Sequence, residues 1–169
     1  SAVVRLIPKA DSERDGVPVT VLNRVCLEAF NQRRKTLRNC FANFATAEQI
    51  VEMLEEAGVK RIYAVTGDSL NHLNIAVKKS SIEWIHVRHE EAGAYAAAAE
   101  AELDGFAVCA GSCGPGHVHL INGVYEAHRS HIPMLVIAST IPSNEMGMDY
   151  FQETNTIKLF DDCSHYNST

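Results

Sequence analysis

The residues with chemical capacity in this chain concentrate around one stretch, residues 82–116. Glu90, within Arg88-His89-Glu90-Glu91, follows the apolar run Ile82 to Val87 and precedes an alanine-rich run, Ala92 to Ala101. That places a carboxyl group where the end of a buried strand meets the start of a helix. Such a group can exchange protons, although a first-turn carboxylate is also stabilised by the helix dipole without any function. A second strand, Phe106 to Ala110, runs into Gly111-Ser112-Cys113-Gly114-Pro115-Gly116, where Pro115 is placed to start another helix. The loop lacks both GxGxxG spacing and a Walker lysine, which argues against a nucleotide phosphate cradle. No GxSxG is present for a serine hydrolase.

The pairs His117-x-His119 and His128-x-x-His131 invite a metal reading. No carboxylate or cysteine stands at a supporting spacing, so no metal site is expected and the histidines read as surface or helix-end residues. Five cysteines (Cys26, Cys40, Cys109, Cys113 and Cys163) form no CxxC pair, and an odd number at irregular spacing argues against a disulfide framework. They read as reduced and buried, with Cys109 and Cys113 as small apolar filler beside the glycine loop.

Several elements must position these residues. Thr46-Ala47-Glu48-Gln49 is a capping-box pattern opening a helix that Gly58 stops. Ile62 to Val65 reads as a strand ending at Thr66-Gly67-Asp68-Ser69, with Asp68 or Ser69 able to cap a helix over Leu70 to Lys78. After the glycine loop, His117 to Ala127 reads as a helix. Pro133 to Ala138 reads as an apolar strand suited to a parallel sheet covered on both faces. Ile141 to Glu153 is loop-like, Asn155 to Phe160 a short helix, and His165 to Thr169 the beginning of a strand. This alternation predicts an α/β fold, a doubly wound parallel sheet with helices on both faces. In such sheets, ligands bind at the carboxyl edge, where Glu90 and the glycine loop both fall.

Before Thr46 the chain holds eight basic and four acidic residues; from Thr46 onward it holds seven and seventeen. The two parts therefore read as separate units, 1–45 and 46–169. In the first unit, Ser1 to Pro8 alternates as a short strand does, and Val19 to Asn39 has the spacing of a helix whose later turns carry Arg33, Arg34, Lys35 and Arg38. That charge suits a helix C-terminus. No apolar run approaches the length of a transmembrane segment, and the N-terminus lacks a signal-peptide pattern, so a cytoplasmic protein is expected.

The segments SAVVRLIP and AFNQRRKTLRN resemble the ribosomal RNA adenine dimethyltransferase family, where a last catalytic-domain strand passes into a small helical domain. That resemblance implies an RNA-facing helix carrying Arg33, Arg34, Lys35 and Arg38; weak, non-specific RNA binding at most is expected of it.

RHEEAGAYAAAAEAE, GSCGPGHVHLINGVYEAHRSHIPMLVI and MDYFQET, with VTGDSLN ahead of them, resemble the pyrimidine-binding domain of thiamine-diphosphate-dependent enzymes. Within that family they look most like the branch of pyruvate oxidase and pyruvate:quinone dehydrogenase. The resemblance implies that Glu90 hydrogen-bonds N1′ of the cofactor's aminopyrimidine, sharing a proton so that the 4′-amino group can release one. That role calls for a buried Glu90, because desolvation favours a protonated carboxyl while the helix dipole opposes it. Gly67 and Asp68 would line the active-site edge, Gly114, Pro115 and Gly116 would bring backbone near the pyrimidine, and Phe151 and Gln152 would face substrate. The family's GDG motif and asparagine pair, which hold diphosphate and Mg2+, do not occur in these residues, nor does the middle domain that carries FAD in the oxidases. The expectation is thus half of a thiamine diphosphate site, inactive alone, completed by the diphosphate-binding domain of a neighbouring subunit in a homo-oligomer. The complete enzyme would oxidatively decarboxylate pyruvate or a similar 2-oxo acid. An acetolactate synthase-like carboligase and a non-catalytic chimeric fragment are the alternatives.

Overall fold

The structure, a computed structural model, describes residues 46–167. The proposed N-terminal strand and basic helix, with Arg33, Arg34, Lys35 and Arg38, lie outside them.

Helix α1 (Ala47–Glu56) starts as its sequence dictates. Thr46 Oγ1 accepts from the Gln49 amide, and Gln49 Oε1 accepts from the Thr46 amide at 2.8 Å, so two orphan donors are satisfied at once. Val51 and Leu54 give it a buried stripe. Then follow β1 (Arg61–Ala64), a 3-10 turn (Asp68–Leu70), α2 (Asn71–Val77), β2 (Glu83–His86) and α3 (Glu90–Asp104). The chain continues through β3 (Ala107–Gly111), α4 (Pro115–His119), α5 (Ile121–Arg129), β4 (Met134–Ala138), α6 (Thr156–Phe160) and a last 3-10 turn (Asp161–Cys163).

The four strands among the described residues are all parallel, in the order β2-β1-β3-β4. Ile62 and Ala64 of β1, with Val108 and Ala110 of β3, face a core shared with α1 and α2. The alternate residues Tyr63, Ala107 and Cys109 face α3 and α5. Helices thus cover both faces, as a doubly wound sheet requires. The chain leaves β1 for β2 on one side and crosses back to β3 on the other, so the loops after β1 and β3 part at the carboxyl edge. That divergence opens the crevice in which ligands bind in such folds.

The alanines of α3 serve packing. Gly93, Ala94, Ala97, Ala98 and Ala101 are all buried, and α5 meets this face through Gly123. A Cβ added at Gly123 would stand 2.5 Å from that of Ala94, so the two helices touch almost backbone to backbone.

Four expectations need refinement or correction. β4 packs on both faces, Ile137 against the core under α1 and α2 and Met134, Val136 and Ala138 against that under α3 and α5, but less fully than its apolar run suggests: Leu135 is exposed and the others half-buried. The helix expected over His117 to Ala127 is two helices divided at Leu120, whose amide reaches back three residues to His117 O in a tighter turn. Neither Asp68 nor Ser69 caps α2; the turn they begin closes through the Leu70 amide and Gly67 O instead. No strand begins over residues 165–167.

Candidate functional site

His89 is the N-cap of α3, with extended backbone, and its Nδ1 accepts from the Glu91 amide at 3.3 Å. Glu90 is the first helical residue. It is buried to 8% exposure, the burial its proposed role needs. Its Oε2 lies 3.0 Å from Nδ1 of His119, the last residue of α4. Its Oε1 faces Gly116, where an added Cβ would come within 3.4 Å, and takes no hydrogen bond from another described side chain. One carboxylate oxygen is therefore fixed by protein and the other is presented beside bare backbone. His89 stacks on His119 with ring centroids 4.5 Å apart.

The glycine loop is shaped by approach distances that forbid side chains. A Cβ at Gly111 would lie 2.7 Å from His117 Cα, so α4 folds directly over the end of β3. Gly114 has φ +69 and ψ −120, a combination reserved for glycine, and a Cβ there would meet Gln152 Cβ at 2.6 Å. Pro115 opens α4 at its first position, as expected. Gly67 ends the β1 loop against Ser112, leaving 2.5 Å for a Cβ. Ser69 Oγ accepts from the Cys113 amide, and Ser139 Oγ donates to Ser69 O, both at 2.9 Å. The carboxyl ends of β1, β3 and β4 are tied together through Ser69.

His117, read from the sequence as a surface or helix-end residue, has no exposure at all. Its Nδ1 donates to Ser139 O at 2.9 Å, and its Nε2 meets the Thr154 hydroxyl, which can donate to it when the ring is neutral. Burial pushes its pKa below the usual histidine value, against the smaller upward pull of the Ser139 carbonyl. His117 thereby anchors the segment that carries Phe151 and Gln152. Gln152 adopts φ +64, packs on Gly114 and accepts from the Cys113 thiol at 3.5 Å; Phe151 is 80% exposed. Cys113, His117, Gln152 and Thr154 line a cavity of about 360 Å³.

Cys109 is fully buried, and burial pushes its thiol up to about 12, so it is inert packing as expected. Cys113 is partly exposed, contrary to expectation. The expected absence of a carboxylate near the histidines also needs correction. His89, Glu90 and His119 offer ligand atoms all within 4.8 Å of one another, a cluster invisible to local spacing because α4 supplies its third member.

A doubly wound sheet with a buried carboxylate and a glycine-walled loop at its carboxyl edge defines an α/β cofactor-binding domain. Residues 44–159 match the family described as "Thiamine pyrophosphate enzyme, N-terminal TPP binding domain", and the chain belongs to it. An uncharacterized 42.6 kDa protein from Pseudomonas amyloderamosa is 58% identical over 127 residues, covering 74% of this chain and 32% of its own. Pyruvate oxidase of Lactiplantibacillus plantarum is 40% identical over 130 residues, covering 75% and 22%. The acetolactate synthase large subunit of Parasynechococcus marenigrum is 36% identical over 114 residues, covering 64% and 18%. The chain thus spans from under a fifth to about a third of the length of these relatives. Among the described residues, no helix is long and apolar enough to cross a membrane.

Proposed function

We infer that residues 46–169 form the pyrimidine side of a thiamine diphosphate site, in an enzyme that oxidatively decarboxylates pyruvate or a similar 2-oxo acid. The observation that carries this reading is Glu90, buried at the start of α3 with Oε2 held by His119 and Oε1 turned to Gly116. This geometry fits a ring nitrogen that must share a proton with a carboxyl group. When bound, thiamine diphosphate supplies an acceptor for the electron pair released as the 2-oxo acid loses carbon dioxide. Glu90 holds or releases the proton at the pyrimidine nitrogen, and His119 keeps the carboxyl group from turning away. Gly114 and Gly116, with Pro115 between them, bring bare backbone to the ring, Gly67 and Asp68 line the neighbouring edge, and Phe151 and Gln152 face substrate.

The pyruvate oxidase relative, with higher identity over a longer span, favours oxidation. Carboligation, as in acetolactate synthase, is the competing reading. Mg2+ with the diphosphate, and FAD, belong on this reading to other domains, the diphosphate domain coming from a neighbouring subunit of a homo-oligomer. Residues 1–45 form a separate segment; the change of charge near Ala45-Thr46 and a family match beginning at residue 44 support that division.

Thiamine binding to the 169-residue chain, followed by ligand-observed NMR, tests the role of Glu90. Glu90→Gln should weaken it at least about tenfold, the loss of one charge-assisted bond, with an unchanged circular dichroism spectrum. Equal binding by the folded variant would remove Glu90 from the site.

A further inference from the structure

Two imidazoles and a carboxylate, two from the start of α3 and one from the end of α4, meet at one point of the surface. His89 and Glu90 are adjacent in sequence, but the first has extended and the second helical backbone, so both side chains reach the same place. His119 arrives from α4, 3.0 Å from Glu90 and stacked on His89. All three offer ligand atoms within 4.8 Å of one another. In a tetrahedral site with bonds of 2.0–2.1 Å, ligand atoms stand about 3.4 Å apart, so small rotations of the two exposed rings suffice. The buried carboxylate is the fixed member, and the exposed histidines leave an entry path from solvent.

We propose that His89, Glu90 and His119 bind a divalent transition-metal ion of the zinc class, and that the ion and an aminopyrimidine exclude one another by competing for Glu90. The second half rests on the thiamine diphosphate reading; the first does not. Two nitrogens and one carboxylate oxygen suit Zn2+, Ni2+ and Cu2+, whereas Mg2+ prefers oxygen ligands in octahedral geometry. The dipole of α3 opposes a cation at this end, and the first-turn carboxylates Glu90 and Glu91 offset it. If His89 binds through Nδ1, it gives up its 3.3 Å bond to the Glu91 amide, a long bond and a small loss. An ion on Oε2 leaves Oε1 uncoordinated but draws off the negative charge with which the carboxylate would hold a proton shared with the ring nitrogen, which makes the site a point at which excess zinc blocks cofactor loading.

Calorimetric titration of the 169-residue chain with ZnCl2 tests the site, with Co2+ absorption as an independent readout of coordination. One ion per chain is expected, with no binding of Mg2+. His89→Ala and His119→Ala should each weaken zinc binding at least about tenfold, since even outer partners of a bound metal are worth about 10- to 100-fold. Both variants should keep the circular dichroism spectrum of the parent. No zinc binding, or binding unchanged in both variants, overturns the site and leaves the role of Glu90 standing. Thiamine, which has no diphosphate to chelate the ion, serves as competitor: at ten times its own dissociation constant it should weaken zinc about tenfold. Zinc binding lost in the histidine variants yet indifferent to thiamine supports the site and overturns the competition. Loss of thiamine binding in Glu90→Gln, measured without zinc, reports on the cofactor reading separately.

Discussion

The Nδ1 of His119 lies 3.0 Å from Oε2 of Glu90, joining the last residue of α4 to the first of α3. Two features of the glycine loop permit it. Gly116 lets α4 lie against Ser112, whose hydroxyl an added Cβ would strike, and Gly111 lets α4 fold back over β3. The pair fixes one oxygen of a buried acid and leaves the other free for chemistry.

His119→Ala should therefore cost stability as well as any ligand. Glu90 would keep its burial and lose its partner, but the exposed site admits water in place of the imidazole. A loss of about 1 kcal/mol is expected, at the low end for an orphaned buried acceptor. The urea midpoint reads it, and an unchanged midpoint would show that the hydrogen bond contributes nothing to folding.

Gly114→Ala and Gly147→Ala separate backbone strain from collision. Both glycines have positive φ, +69 and +86, but a Cβ at Gly147 meets nothing within 4 Å, whereas at Gly114 it strikes Gln152. Gly147→Ala should cost about 1 kcal/mol. Gly114→Ala should cost about 3 kcal/mol or more, adding overpacking to strain. Equal losses on chemical denaturation would mean that the 148–153 segment gives way freely.

Gly123→Ala should destabilise, against the rule for helices. In an exposed helix interior, alanine gains about 1 kcal/mol over glycine. Here the new methyl would stand 2.5 Å from Ala94 Cβ and 2.9 Å from the Tyr95 nitrogen, forcing α5 off α3. A net loss of about 1–3 kcal/mol is expected from the melting temperature; a gain would show that the helices separate without penalty.

Where the sequence was legible, local signals agreed with tertiary need. The Thr46 capping box, the strand runs, Pro115 after its glycine and Glu90 at a strand–helix junction are all fixed by neighbours within a few positions. His119 as partner of Glu90 and Ser69 as the tie between loops were not legible, because each contact joins residues far apart in the chain. Spacing rules offer Asp68 or Ser69 as a helix cap, yet the Ser69 hydroxyl accepts from the Cys113 amide instead. His117 was misread for a similar reason. A histidine is buried only when both ring nitrogens find partners, and Ser139 and Thr154 are supplied by later segments.

His117 gives the fold a pH dependence of definite sign. Its folded pKa is depressed by burial, while the unfolded chain has the ordinary value near 6.5. Its neutral form is therefore compatible with folding above that value, and stability falls as pH drops below about 6.5 and the unfolded state takes up a proton that the folded state refuses. The urea midpoint should be lower at pH 5.5 than at pH 7.5, and His117→Asn, which can still donate to Ser139 O, should reduce the difference. An equal difference in the variant would assign the effect to other groups.

The 169-residue chain with thiamine diphosphate and Mg2+ should turn over no pyruvate, although the proposed reading gives Glu90 the proton exchange. On the proposed reading, Glu90 acts on the pyrimidine only while the ring is held against it, and Gly114–Gly116 supply shape but few polar contacts. A ligand held by this side alone must still give up its translational freedom, so a dissociation constant no tighter than about millimolar is expected. Alignment of reacting groups contributes up to about 7–11 kcal/mol of barrier reduction, and a loosely held ring forfeits most of it. Adding a diphosphate-binding domain from a related pyruvate oxidase in trans should restore measurable carbon dioxide release, because the anchor then fixes the ring against Glu90. Glu90→Gln should remove most of that restored activity without unfolding the domain. Pyruvate turnover by the purified chain alone would show that positioning comes from these residues, and would overturn the division of the site between two domains.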